Sequence, residues 1–68
     1  MEQITIRDEF IKLGQAMKLA GKVQTGVEAN NVIHEGQVKV NVVTEYQRGK
    51  KLHPGDVFSF DGQDVTIN

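Results

Sequence analysis

Sixty-eight residues with no cysteine leave room for one modest core and for no disulfide or thiolate-bound metal. No apolar run approaches the roughly 20 residues that span a bilayer, and the start, MEQITIRDEF, lacks the apolar centre of a signal peptide; a single cytoplasmic domain over residues 1–68 is the expectation. The net charge of −1 conceals a segregation: seven basic residues stand against three acids between Lys12 and Lys51, whereas outside that stretch Arg7 stands against six acids, and segregated charge orients a molecule in a field even when the total is small.

Gln3-Ile4-Thr5-Ile6 alternates polar and apolar residues, as a half-buried strand does. Arg7-Asp8-Glu9 turns the chain, and Phe10, Ile11 and Leu13 bring it back to the core in extended form. Leu13, Ala16, Met17 and Ala20 share one helical stripe, with Gln15 and Lys18 on the other side. Gly21 ends that helix in the left-handed conformation. Thr25-Gly26-Val27-Glu28 reads as a capping box, in which Thr25 accepts from the Glu28 amide and Glu28 reaches back to the Thr25 amide. Ala29, Val32, Ile33 and Gly36 continue a second helix, with the small Ala29 where the two helices cross. Asn30, Asn31, His34 and Glu35 are left to solvent.

Beyond Gly36 the period falls to two: Val38 and Val40 point one way, Lys39 and Asn41 the other. Val42 and Val43 prolong the strand. Gln47-Arg48-Gly49-Lys50 is a turn in which Gly49 permits a positive φ, and Leu52 returns to the core. His53-Pro54-Gly55-Asp56 places proline and glycine at the centre of a type II turn. Val57–Phe60 and Asp64–Ile67 flank Asp61-Gly62 as a hairpin. Tyr46, the single tyrosine, is expected to pack across strands. The fold class is α+β: two short packed helices followed by a small, mostly antiparallel sheet, with about four or five strands in the whole chain.

Catalytic patterns are missing from this arrangement. Ser59 is the single serine and lies in a predicted strand. His34 and His53 match neither a nucleophile nor a metal spacing. The scattered glycines form no nucleotide-binding loop. The expectation is a non-enzymatic protein with no cofactor and no metal.

The order of Lys-Leu-Ala-Gly, Thr-Gly, Glu-Gly-Gln-Val-Lys-Val-Asn, Arg-Gly-Lys-Lys-Leu and Pro-Gly-Asp, spread over residues 10–57, resembles the S-four RNA-binding domain. This is the αL-type module of small-subunit ribosomal protein four, of RNA pseudouridine synthases and of tyrosyl-tRNA synthetases. The resemblance is closest to its short stand-alone, YbcJ-like bacterial branch. It implies a domain that binds structured RNA through two helices and the strand after them. Lys18 and Lys22 would then flank the first turn, Thr25 and Gly26 open the second helix, Lys39 and Asn41 lie on the strand, and Arg48, Lys50 and Lys51 form a basic loop.

The chain departs from that pattern at four places. Gly26 stands where many relatives have arginine, Asn30 where the branch often has lysine, and Gln47 where a second arginine is common. Asn41-Val42 replaces the Asn-Gly of a tight hairpin; because valine disfavours positive φ, the strand is expected to run on or turn differently.

Each site residue also has a purely structural reading. Lys18 and Lys22 complement a helix C-terminus; Arg48, Lys50 and Lys51 form a solvated loop. The phosphate reading is favoured for the loop because basic residues around a glycine approach a backbone closely. The amides at Thr25 and Gly26 open a helix N-terminus able to hold a phosphate, but the Glu28 carboxylate of the capping box opposes an anion there. With one tyrosine and no tryptophan, stacking platforms for single strands are scarce, which favours a folded RNA recognised by shape and phosphates. The expected partner is structured RNA, ribosomal or transfer, met by a monomer on the ribosome or beside an RNA-processing protein, with no membrane. The competing expectation is a protein-interaction module using the acidic ends or an exposed edge strand.

Overall fold

The computed structural model describes residues 2–68. Its helices form where the apolar stripes begin and end by one shared device. α1 spans Leu13–Leu19 and α2 spans Gly26–His34. After α1 the Gly21 amide donates to the Lys18 carbonyl (3.0 Å) and the Lys22 amide to that of Met17 (2.9 Å). After α2 the Gly36 amide donates to Ile33 and the Gln37 amide to Val32, both at 3.1 Å. Both are Schellman closures, which satisfy the last carbonyls around a left-handed residue. Gly21 and Gly36 supply it at φ +73° and +77°.

At the start of α2, Thr25 Oγ1 accepts from the Glu28 amide at 3.1 Å. The reciprocal bond differs from the expectation. Glu28 takes the amide of Gln24, at 2.7 Å, one residue before Thr25.

Strands β1 (Glu2–Ile4), β3 (Val38–Val40), β4 (Val43–Thr44), β6 (Val57–Phe60) and β7 (Gln63–Ile67) form one sheet in the order β1-β7-β6-β3-β4. β1 runs parallel to β7 and the other pairs are antiparallel. A separate antiparallel ribbon joins β2 (Ile11–Lys12) to β5 (Lys51–Leu52). The helices follow β1 and β2 in the chain and precede the other strands. Seven strands are present among the described residues, not four or five. The additional ones are two-residue pairings, too short to show an alternating pattern in sequence. The first strand ends at Ile4 rather than Ile6, although the Ile6 amide still donates to the Asn68 carbonyl at 2.9 Å.

The clearest correction is at Asn41-Val42. Val40 pairs with Val43 across a two-residue turn, and Asn41 and Val42 both have positive φ, +48° and +66°, the sign pattern of a type I′ hairpin. Valine's local preference yields because Asn41 is fixed from the other side. Its amide donates to the Val57 carbonyl (2.8 Å), its Oδ1 accepts from the Val57 amide (3.0 Å), and its Nδ2 donates to Asp56 Oδ1 (3.1 Å). Val42 is left 86% exposed.

Two smaller expectations also change. The turn at Gln47–Lys50 forms, with the Lys50 amide on the Gln47 carbonyl at 3.2 Å, but Gly49 is not among the residues with positive φ. Tyr46 itself lies outside the strands, beyond the end of β4. Its ring lies over the closure of α2, with Cε1 3.3 Å from where a Cβ on Gly36 would stand.

The turns at His53–Asp56 and Asp61-Gly62 form as expected: the Asp56 amide reaches the His53 carbonyl at 2.9 Å, and Phe60 pairs with Gln63. One core joins Leu13, Ala16 and Met17 of α1 to Ala29 and Ile33 of α2, Leu52 of β5, and Val38, Phe58, Val65 and Ile67 of the sheet. Burying each large member is worth about 1.5–3 kcal/mol. No helix among the described residues is long and apolar enough to cross a membrane.

Candidate nucleic-acid interface

α1 begins at Lys12, whose side chain has no oxygen with which to cap a helix. The loop before β5 performs that task. The Leu13 amide donates to the Lys50 carbonyl at 2.8 Å, and the Gly14 amide to the Arg48 carbonyl at 3.0 Å. Orphan amides of a first turn need such partners. The bonds hold the basic loop against the helix start, so Arg48 stands at a set place.

Between that loop, α1 and the opening of α2 lies a groove of about 310 Å³, lined by Lys12, Gly14, Gln15, Lys18, Gly26, Ala29, Arg48 and Gly49. Three cations converge on walls made largely of glycine and alanine. No carboxylate lines the groove, and Lys12, Lys18 and Arg48 make no ion pair among the described residues. Unpaired cations on a concave surface concentrate an attractive field for an anion. Lys12 also lies directly opposite Lys51 across the β2–β5 ribbon, an arrangement of like charges that costs stability.

The predicted site residues divide around this groove. Lys18, Gly26 and Arg48 line it, and Thr25 caps the helix that opens on it. Lys50 is exposed beside the groove residues on the same loop. Lys51 places its ammonium 4.8 Å from the centre of the Phe10 ring. Lys39 is exposed on β3, outside the groove lining. Lys22 bonds to Glu2 and Gln63, with its side chain only 11% exposed. Asn41 is committed to Asp56 and Val57. Lys12 and Gln15 line the groove but were not singled out from sequence. Gln15 was legible from its three-residue spacing to Lys18, whereas Lys12 enters through the β2–β5 pairing.

Asp56 lies within reach of the Lys50 charge. Its carboxyl is held below the ordinary value of 3.8 chiefly by the His53 amide, which donates to Oδ2 at 2.7 Å. Partial burial opposes the shift, while the Asn41 side chain and the charges of His53 and Lys50 add to it. An anionic Asp56 thus braces the hairpin and the turn behind the basic loop.

A two-helix unit with a docked basic loop, backed by a small mostly antiparallel sheet, is a small α+β architecture consistent with an S4-type domain. The sequence profile of the S4 domain matches residues 4–68, and the chain belongs to that family. Among its relatives, the "Probable ribosome maturation protein RlbA" of Bacillus subtilis is 42% identical over 59 residues, covering 87% of this chain and 83% of its own length. The "Putative RNA-binding protein YbcJ" of Escherichia coli is 35% identical over 57 residues, covering 84% and 81%.

Proposed function

We propose that this chain is a non-catalytic cytoplasmic module that binds structured RNA, ribosomal or transfer, through the groove between α1, α2 and the Arg48–Lys50 loop. The carrying observation is the convergence of Lys12, Lys18 and Arg48, free of ion pairs among the described residues, on a glycine-lined surface without carboxylates. The names of the two relatives, one for ribosome maturation and one for RNA binding, support it.

In this reading the phosphate backbone enters the groove. Arg48 offers a planar fork that matches phosphate oxygens, and Lys12 and Lys18 act as point charges. Glycine at 14, 26 and 49 lets the backbone approach closely. Lys50 and Lys51 extend the positive rim along the ribbon. Such contacts position a folded RNA without reading its sequence. Because Lys22 and Asn41 are held within the protein, the weight falls on the groove residues, Gly26 among them, with Thr25 at the margin and Lys39 outside the lining.

The test is an amide chemical-shift titration with a folded bacterial RNA, with duplex DNA as control, at about 100 mM salt, inside the range where phosphate contacts are strongly salt-dependent. Shifts at Lys12–Lys18, Gly26 and Arg48–Lys51, larger for RNA, are expected. Absence of shifts with both nucleic acids removes this reading.

A second reading has its own observation. β4 is an edge strand, and its Val43 and the preceding Val42 are exposed, as a protein partner adding a strand would use. The edges are β1 and β4; β6 and β7 are interior strands. Such binding is indifferent to salt, whereas RNA docking weakens steeply between 50 and 200 mM.

A further inference from the structure

Beside the basic groove lies a second one, of about 380 Å³, on the other side of Gln15. Ile6, Phe10, Ile11 and Leu19 give it apolar walls, and Gln15 lines both grooves. Ile6 and Ile11 rest on the core, so this surface is backed by a fixed structure. Leu19 is different: it is 59% exposed on α1 and lies outside the core. Phe10 is held by the Lys51 ammonium over its ring and by the His53 ring, whose centre is 6.2 Å away.

The chemistry of the lining defines the occupant. Apolar walls suit a flat, apolar body. The Gln15 amide offers a donor and an acceptor to a polar edge, and the Asp8 carboxylate accepts from amino or imino N–H groups. Arg7 in the lining and Lys51 over Phe10 favour an attached anion. A free anion alone is opposed by Asp8, and a purely apolar ligand leaves Gln15 and Arg7 unused. The volume falls within the roughly 300–1,000 Å³ of small-ligand sites.

We infer that this groove receives one unpaired nucleobase of the RNA whose phosphates occupy the neighbouring basic groove. This rests on the RNA-binding reading and deepens it: the preferred RNA is a duplex interrupted by an unstacked nucleotide, and Gln15 lies where backbone and base diverge. Base contacts to such a surface supplement phosphate contacts, which alone carry no sequence information. A bulged base suits it because, in an RNA duplex, the deep groove hides base edges and unpaired nucleotides present theirs.

The experiment compares two RNA hairpins that differ only by one unpaired nucleotide, with affinities measured by fluorescence anisotropy. The wild-type chain is expected to bind the bulged hairpin about tenfold more tightly, the scale of one stacked base. Leu19→Asn alters an exposed side chain and is expected to abolish that preference, leaving affinity for the fully paired hairpin unchanged. Leu19→Met is expected to retain it, and thermal melting confirms that both variants fold. Equal wild-type affinity for the two hairpins, or a preference that survives Leu19→Asn, overturns the inference. The RNA reading then stands and the groove is left to an apolar side chain of a protein partner. Failure to bind either hairpin removes both.

Discussion

Gly14 and Arg48 are joined by a backbone hydrogen bond, and little space separates them beyond it. The Arg48 carbonyl accepts from the Gly14 amide at 3.0 Å, and a Cβ on Gly14 would stand 3.6 Å from the Arg48 Cβ and 3.9 Å from the Ala29 Cβ. The first contact of the basic loop is therefore with the least bulky position of α1, and the width of the groove depends on that residue remaining small. Gly14→Ala adds only ordinary contacts and raises helix propensity, so stability is expected to rise by up to about 1 kcal/mol. Gly14→Leu puts a bulky side chain into the groove lining beside Arg48. It is expected to weaken RNA binding even where the fold survives, as judged by melting and affinity together.

Salt dependence separates the groove cations from the rest. Arg48→Ala and Lys18→Ala are each expected to reduce the slope of log affinity against log salt by about 0.7–0.9. The double change of Lys50 and Lys51 to alanine is expected to weaken binding of many RNAs alike, since phosphate contacts do not read sequence. Wild-type slopes in the two groove variants remove those residues from the interface.

Lys22 provides the contrast. Its ammonium joins Glu2 on β1 and Gln63 on β7 to the closure of α1, so it fastens the helical unit to the sheet. Lys22→Ala is expected to lower stability by about 1 kcal/mol and to leave the salt slope unchanged. A reduced slope with unchanged stability would reverse that assignment.

Val42 holds a left-handed conformation that a β-branched residue adopts only under constraint. With its side chain exposed, little packing is lost on truncation. Val42→Gly is expected to stabilise the chain by about 1 kcal/mol, raising Tm by about 4–8 °C. An unchanged or lower Tm would show that the exposed valine contributes more than its backbone costs.

Asp56 links the fold to acid. Its folded carboxyl titrates below its ordinary value of 3.8, so the unfolded chain binds the proton more readily. The stabilisation is complete above that ordinary value and is lost as pH falls through the lower folded one. Asp56→Asn is expected to destabilise the protein at neutral pH and to flatten its stability profile below about pH 4. Urea unfolding at several pH values measures both effects.

Much of the backbone was legible because local signals and tertiary needs agree. The stripe Leu13, Ala16, Met17 is buried, the two glycine closures form, and Pro54-Gly55 and Asp61-Gly62 turn where their φ preferences place them. The expectation failed where a distant partner outweighed a local preference. Val42 takes a positive φ because Asn41 is bonded to β6. β2 and β5 exist because Ile11 and Leu52, far apart in the chain, pair across a ribbon of two residues each.

The candidate site divides in the same way. The family resemblance and the segregation of charge into residues 12–51 are properties of the sequence alone, and so is the choice of Lys18 and Arg48 among the site residues. Which cations share one surface was decided by tertiary structure. Lys12 joins them through strand pairing and the capping of α1 by the Arg48–Lys50 carbonyls, whereas Lys22 turns to Glu2 and Gln63. The physical reason is that a charged residue's type and spacing are local, but whether its charge meets an internal acid or remains free for a ligand depends on contacts between segments remote in the chain.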